Sequence, residues 1–171
     1  MRSLLLLAAF AAATPGSLHT QQPITATNWR RHPAITAVRS MTLTVENALA
    51  HRSVSEQTDS ADCDGGRIHV VAHLFTDSTG RVRKYVVKGG SDDSAGDATY
   101  YYHLRGTLRF IFAHTNAVNG TQREDRVYFD STGTQLYKNS RLLHGPGYFG
   151  GFGEPIRDPA HDFQVLCGAG N

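Results

Sequence analysis

RIHVVAHLFTDSTGRVRKYVVK, residues 67–88, decides the fold. From Arg67 to Thr76 the side chains alternate, placing Ile68, Val70, Ala72 and Leu74 on one face with the period of a strand. The DSTG at 77–80 is a turn. Asp77 can accept from the backbone ahead of it, and Gly80 takes the positive φ that the reversal needs. Arg81 to Lys88 then returns as a second strand, so the whole is a β-hairpin.

The same unit recurs downstream. Thr99 to Leu104 reads as a tyrosine-rich strand, Arg105-Gly106 as a tight turn, and Thr107 to His114 as the return. In that return Leu108, Phe110 and Phe112 alternate on the face expected to be buried. A second DSTG, at 130–133, joins Glu124–Phe129 to Thr134–Lys138. The turn glycines Gly80, Gly106 and Gly133 recur about every 27 residues, too short a period for a propeller blade and too few repeats for a solenoid. Three hairpins in sequence predict an antiparallel meander of about six strands. By composition, Gly89–Asp97 and Thr115–Gln122 read as the loops between them.

Upstream the period changes. Ile35, Val38, Met41, Val45 and Leu49 are spaced by three and four, one apolar stripe of a helix over Ala34–His51, with Pro33 suited to its first turn. Thr36, Thr42 and Thr44 lower its propensity, so packing must hold it. Ser53 to Gly66 is polar and acidic and reads as a connector. The fold class that follows is α+β: one N-terminal helix packed on a β-meander, helix and sheet spanning residues 29–143. From 144 to 171 the chain changes again, to a Gly-rich arm in which Tyr148, Phe149 and Phe152 sit among glycines; it is expected to run extended, packed on the sheet by its aromatics and pinned by Cys167, the alternative being a mobile tail. Pro146, Pro155 and Pro159 argue there against regular structure.

The first thirteen residues read as a signal peptide. Arg2 supplies the positive start, Leu4–Ala13 the apolar run, and Ala11-Ala12-Ala13 the small residues before cleavage; the run is about half of what a membrane span needs. Residues 14–28 are polar and read as a disordered lead-in. The expected location is therefore outside the cytoplasm, periplasmic or secreted, with no transmembrane segment. The 171 residues carry a formal charge of +2, and the basic residues are scattered, which gives no footprint for nucleic acid. Cys63 and Cys167, the only cysteines, read as a disulfide in an oxidising compartment, the alternative being two unpaired thiols.

The stretch from Gly65 to Asn139 resembles a loosely defined set of exported bacterial proteins of unknown function. In these a helix precedes a GG-led strand and hairpins of the form aromatic-aromatic-Asp-x-Gly-Lys-Leu. The matching pieces are Gly65-Gly66, the hairpin from Phe75 to Val82, the unit Tyr100 to Leu108 with its return Arg109 to Phe112, and Val127 to Asp130 with Gly133. Arg105, Thr107 and Thr134 depart from the pattern. The resemblance implies hairpins and export, and no catalytic residue.

His69 and His73 share a strand face, and His103 and His114 lie on strands that could join them, a set of imidazoles able to take zinc or copper. However, two ligands four apart on a strand are separated by about 13 Å, too far to share one ion directly. The DSTG turns and Asp92, Asp93 and Asp97 lack the spacing of an EF-hand loop. There is no GxSxG elbow, no cysteine beside a histidine, and no evident partner for Glu124 and Asp125 as a carboxylate pair. Asn119-Gly120-Thr121 matches a glycosylation acceptor. The strongest pointer is aromatic: Tyr101, Tyr128, Tyr137 and Tyr85, with Arg109 and Arg126, fall opposite the expected core parity, a composition found at protein interfaces. The expectation is a non-catalytic exported binding protein without cofactor, its partner another protein or an envelope component. The alternatives are a small extracytoplasmic enzyme or metal-binding protein on the histidine-bearing face, and a structural subunit paired through an exposed sheet edge.

Overall fold

A computed structural model describes residues 22–147 and 153–168. The expected signal peptide, residues 14–21 of the lead-in, and Tyr148, Phe149 and Phe152 of the arm lie outside them. Helix α1 spans Pro33–Ala50, and strands β1 to β7 follow at Val54–Cys63, Ile68–Asp77, Val82–Gly90, Ser94–Tyr102, Leu108–Ala117, Gln122–Phe129 and Gln135–His144. A short helix α2, Pro159–Gln164, lies in the arm. The seven strands pair in chain order, each antiparallel to its predecessor. The α+β class and the meander are as expected.

Four readings are corrected. The connector Ser53–Gly66 is mostly β1, a strand whose side chains from Ser55 to Ser60 are all exposed. An edge strand in water on both faces has no apolar period to read. The glycine-rich loop Gly89–Asp97 is a tight turn flanked by strand, with Gly89 paired to Gly96 and Gly90 to Ala95. There a Cβ on Gly90 would lie 3.1 Å from the Ala95 Cβ, so the small residues mark close approach of backbones rather than a loop. Most of Thr115–Gln122 is likewise strand, with a turn at its centre. The arm, in which prolines argued against regular structure, contains α2, because Pro159 occupies its first turn and the Asp158 carboxylate accepts from the His161 N–H.

Both faces of the sheet are covered, not one. Phe110 and Phe112 do not share the face of Leu108. Tyr101 pairs with Phe110 and Tyr102 with Leu108, leaving Arg109 as a bulge, and a one-residue slip sends every later side chain to the other face. The same irregularity recurs at Arg83 and Leu136, each about 27 residues from Arg109, so each repeat carries its bulge at the same place. The face of Ala72, Leu74, Tyr85, Tyr100, Ile111 and Val127 is the larger core. It is covered by the arm, through Ile156, Phe163 and Leu166. Three tyrosines of the sheet hold the arm by their hydroxyls: Tyr85 donates to Asp162 (2.8 Å), Tyr102 to the Ile156 carbonyl (2.9 Å), and Tyr100 meets the backbone of Gly153. Burial pushes all three phenols well above their ordinary range, so they stay protonated; Tyr85 and Tyr102 donate, while the Tyr100 oxygen accepts from the Gly153 N–H. Cys63, at the end of β1, is bonded to Cys167, 104 residues away, and pins the arm's far end.

The opposite face belongs to α1. Ile35, Val38 and Val45 of the expected stripe are buried, and Trp29, Tyr128 and Phe110 pack with the first two. Of the lead-in, Ile24 joins this cluster. His32 is buried and caps the helix: Nδ1 accepts from the Ala34 N–H while Nε2 donates to the Gln22 carbonyl. Arg30 and Arg39 flank Trp29, lying 5.4 and 5.2 Å from its ring centre.

The two DSTG turns are built alike. Asp77 Oδ1 accepts from the Thr79 N–H and hydroxyl and from the Arg81 N–H; Asp130 Oδ1 does the same for Thr132 and Thr134. Gly80 and Gly133 adopt φ of 76° and 83°. The Thr79 and Thr132 hydrogen bonds hold both carboxyls below their ordinary value of 3.8. The unfolded chain therefore binds these protons more readily. The stability they contribute is complete above the unfolded value and is lost as pH falls through the folded one. Asparagine keeps the acceptor and drops the charge. Between about pH 5 and pH 2, Asp77→Asn/Asp130→Asn should lose less stability than the parent chain in urea titrations. Equal losses in the two proteins would show that these turns do not carry the acid dependence.

Candidate functional site

The pairing register lays residues in rows across the sheet. On the α1 face the first row reads Glu56, Phe75, Lys84, Tyr101, Phe110, Tyr128, Tyr137, each opposite the next. Its aromatic part comes from equivalent places of the repeat. Helix α1 crosses this row. Trp29 packs at 5.5 Å from the Tyr137 ring and 5.9 Å from that of Tyr128. Towards the other end, Glu46 accepts from Tyr101 (2.6 Å) and from Lys84 (2.7 Å). Those two bonds outweigh partial burial and hold the Glu46 carboxyl below its ordinary range. Tyr101, Tyr128 and Tyr137 thus lie opposite the larger core, as expected, but they face the helix and not solvent. Tyr85 is on the arm side, fully buried.

Beyond this row the helix face is uncovered by α1. The next row reads Thr58, His73, Val86, Thr99, Phe112, Arg126, Asn139, and the one after it Ser60, Val71, Lys88, Asp97, His114, Glu124, Arg141. The latter ends in a ladder in which Lys88 stands opposite Asp97 and Glu124 opposite Arg141, with His114 between the two acids. Opposite charges directly across strands support the sheet by about 0.2–1 kcal/mol per pair. Arg126 pairs with Glu124 and lies 5.0 Å from the centre of the Phe112 ring. Farther along, Gly90 and Ala95 leave a depression of about 330 Å³ beside His69, Val71 and Lys88.

His69, His73 and His114 share this face, but each turns to its own acid. His69 meets Asp62 at 2.7 Å, His73 meets Glu56 at 2.8 Å, and His114 lies 4.0 Å from Asp97. His103 is elsewhere, in the turn between β4 and β5. Among the described residues no three His, Cys, Asp or Glu side chains come together as a metal-binding group. Arg109 is also remote from the open face, its Nε donating to the Phe129 carbonyl at the bulge. Arg126 alone of the six interface candidates stands on open sheet. The charge ladder was missed because its members are 9 to 17 positions apart in sequence; only the register of five strands aligns them.

No helix among the described residues is long and apolar enough to cross a membrane. No family model matches the sequence, and no curated protein or solved structure matches it either. The functional reading therefore rests on this geometry.

Proposed function

We propose that this chain is a small exported, non-catalytic binding protein that engages another protein or an envelope component through the uncovered part of its helix face. The observation that carries the reading is the ladder Lys88–Asp97–His114–Glu124–Arg141, beside Arg126 on Phe112, on strands that α1 leaves bare. A broad surface of opposed charges selects a partner by electrostatic register, and the depression at Gly90 and Ala95 offers room for one anchoring side chain. The disulfide supports an oxidising compartment, and the leader-like first thirteen residues support export.

The test compares the parent chain with Lys88→Glu/Arg126→Glu as immobilised bait in an envelope extract. The expected outcome is one specific component that the parent retains and the variant loses by about tenfold or more, with the parent's thermal midpoint little changed. If both baits retain the same components in the same amounts, the partner does not bind here.

A further inference from the structure

The opposite end of the sheet carries a feature that the binding face does not use. The turns after β2 and β4 lie there, and the chain leading into α2 folds against them. They enclose a cavity of about 270 Å³, lined by Arg81, Arg105 and Arg157 and by the apolar Val82, Tyr102 and Pro159. Its walls are tied together: the Tyr102 hydroxyl donates to the Ile156 carbonyl, and the Arg157 guanidinium donates to the Gly133 carbonyl at 3.3 Å. The cavity is thus formed before any ligand arrives.

Its charge is unbalanced. Among the described residues Arg81 and Arg105 have no carboxylate within 4 Å. Asp158, the one acid of the lining, turns an oxygen to the His161 N–H. Of the other arginines at this end, Arg83 is paired with Asp77 at 3.6 Å and Arg109 donates to the Phe129 carbonyl. Nearby His103 registers this field: burial first, then Arg109, Arg105 and Arg83, push its imidazolium form down. Guanidinium groups present planar pairs of donors that match carboxylate and phosphate oxygens. The volume falls just below the roughly 300–1,000 Å³ of sites for drug-sized ligands, so the occupant is compact.

We propose that this cavity binds a compact organic anion, its apolar body against Val82, Tyr102 and Pro159 and its oxyanion held by Arg81, Arg105 and Arg157. Neither charge alone nor apolar surface alone suffices.

Calorimetric titration of the disulfide-bonded protein with benzoate and with phenyl phosphate tests this. The controls are benzyl alcohol, the body without the charge, and inorganic phosphate, the charge without the body. The expected result is saturable one-to-one binding of at least one of the two aromatic anions, weakened by salt. Both controls should bind at least about tenfold more weakly. Which anion binds tells whether the natural ligand carries a carboxylate or a phosphate. Arg81 and Arg105 are exposed turn residues, so Arg81→Ala/Arg105→Ala should keep the parent's thermal midpoint and lose about tenfold or more in affinity. The proposal is overturned if neither anion saturates, if inorganic phosphate binds as tightly as they do, or if the double variant binds like the parent.

Discussion

Replacing Cys63 and Cys167 together by serine is expected to lower the stability of the folded chain by about 2–5 kcal/mol. The chain-entropy argument sets the upper end, because the bond spans 104 residues and a loop of that length is worth about 4.7 kcal/mol at 25 °C. The geometry says where the loss is felt. The bond joins the edge strand β1 to the arm, and both depend on it: β1 has few apolar contacts of its own, and the arm follows a stretch rich in glycine. Its release should loosen the cover over Tyr85, Tyr100 and Tyr102. Urea unfolding with and without reductant, alongside the double serine variant, checks this. The midpoint should fall in reductant for the parent and stay fixed for the variant. Coincident midpoints for parent and variant would mean that the arm is held by its packing and tyrosine hydrogen bonds alone.

Tyr128→Ala should cost about 3–5 kcal/mol, the range for removing a large aromatic from a core. Tyr128 is 2% exposed, its ring 4.8 Å from Phe110 and 5.9 Å from Trp29, so it is the seat on which the start of α1 rests. Trp29 is the single tryptophan of the chain and reports directly on that seat. Its emission should shift to the red in Tyr128→Ala under native conditions, while Tyr128→Phe keeps the ring and should keep the parent's spectrum. An unshifted spectrum in the alanine variant, with little loss of stability, would show that α1 docks without this contact.

The parts of the fold that were legible are those in which local chemistry and burial agree. The stripe Ile35, Val38 and Val45 has one wet side and one dry side, so its period survives in the sequence. The DSTG turns are legible because Asp77 and Asp130 make their bonds within four residues. Strand β1 was not legible, since an exposed edge selects for polar residues on both faces. The faces of β5 were misjudged for a subtler reason. The bulge at Arg109 is invisible to a period-2 reading, and every assignment after it inverts. The second layer was legible in part: an arm against the sheet, pinned by Cys167, was expected, but not that it covers the larger core while the helix takes the opposite face. For the site, Tyr101, Tyr128 and Tyr137 lie opposite that core while Tyr85 lies within it, and nothing in their spacing says that α1 lies on the first three. The ladder was the least legible feature, being a property of the pairing and not of any segment.

The strand order has a kinetic meaning. Every strand pairs with the one made just before it, so no pairing waits for a distant stretch of chain, and each hairpin can form across a short turn at low loop-closure cost. The exception is the arm. Its docking brings Cys167 back to Cys63 across the whole length of the sheet, and its three tyrosine partners lie on β3 and β4, in the middle of the meander. Closure is therefore a late event, made onto a platform already assembled. Until the arm arrives, the row of small and aromatic side chains that it covers stands open to water.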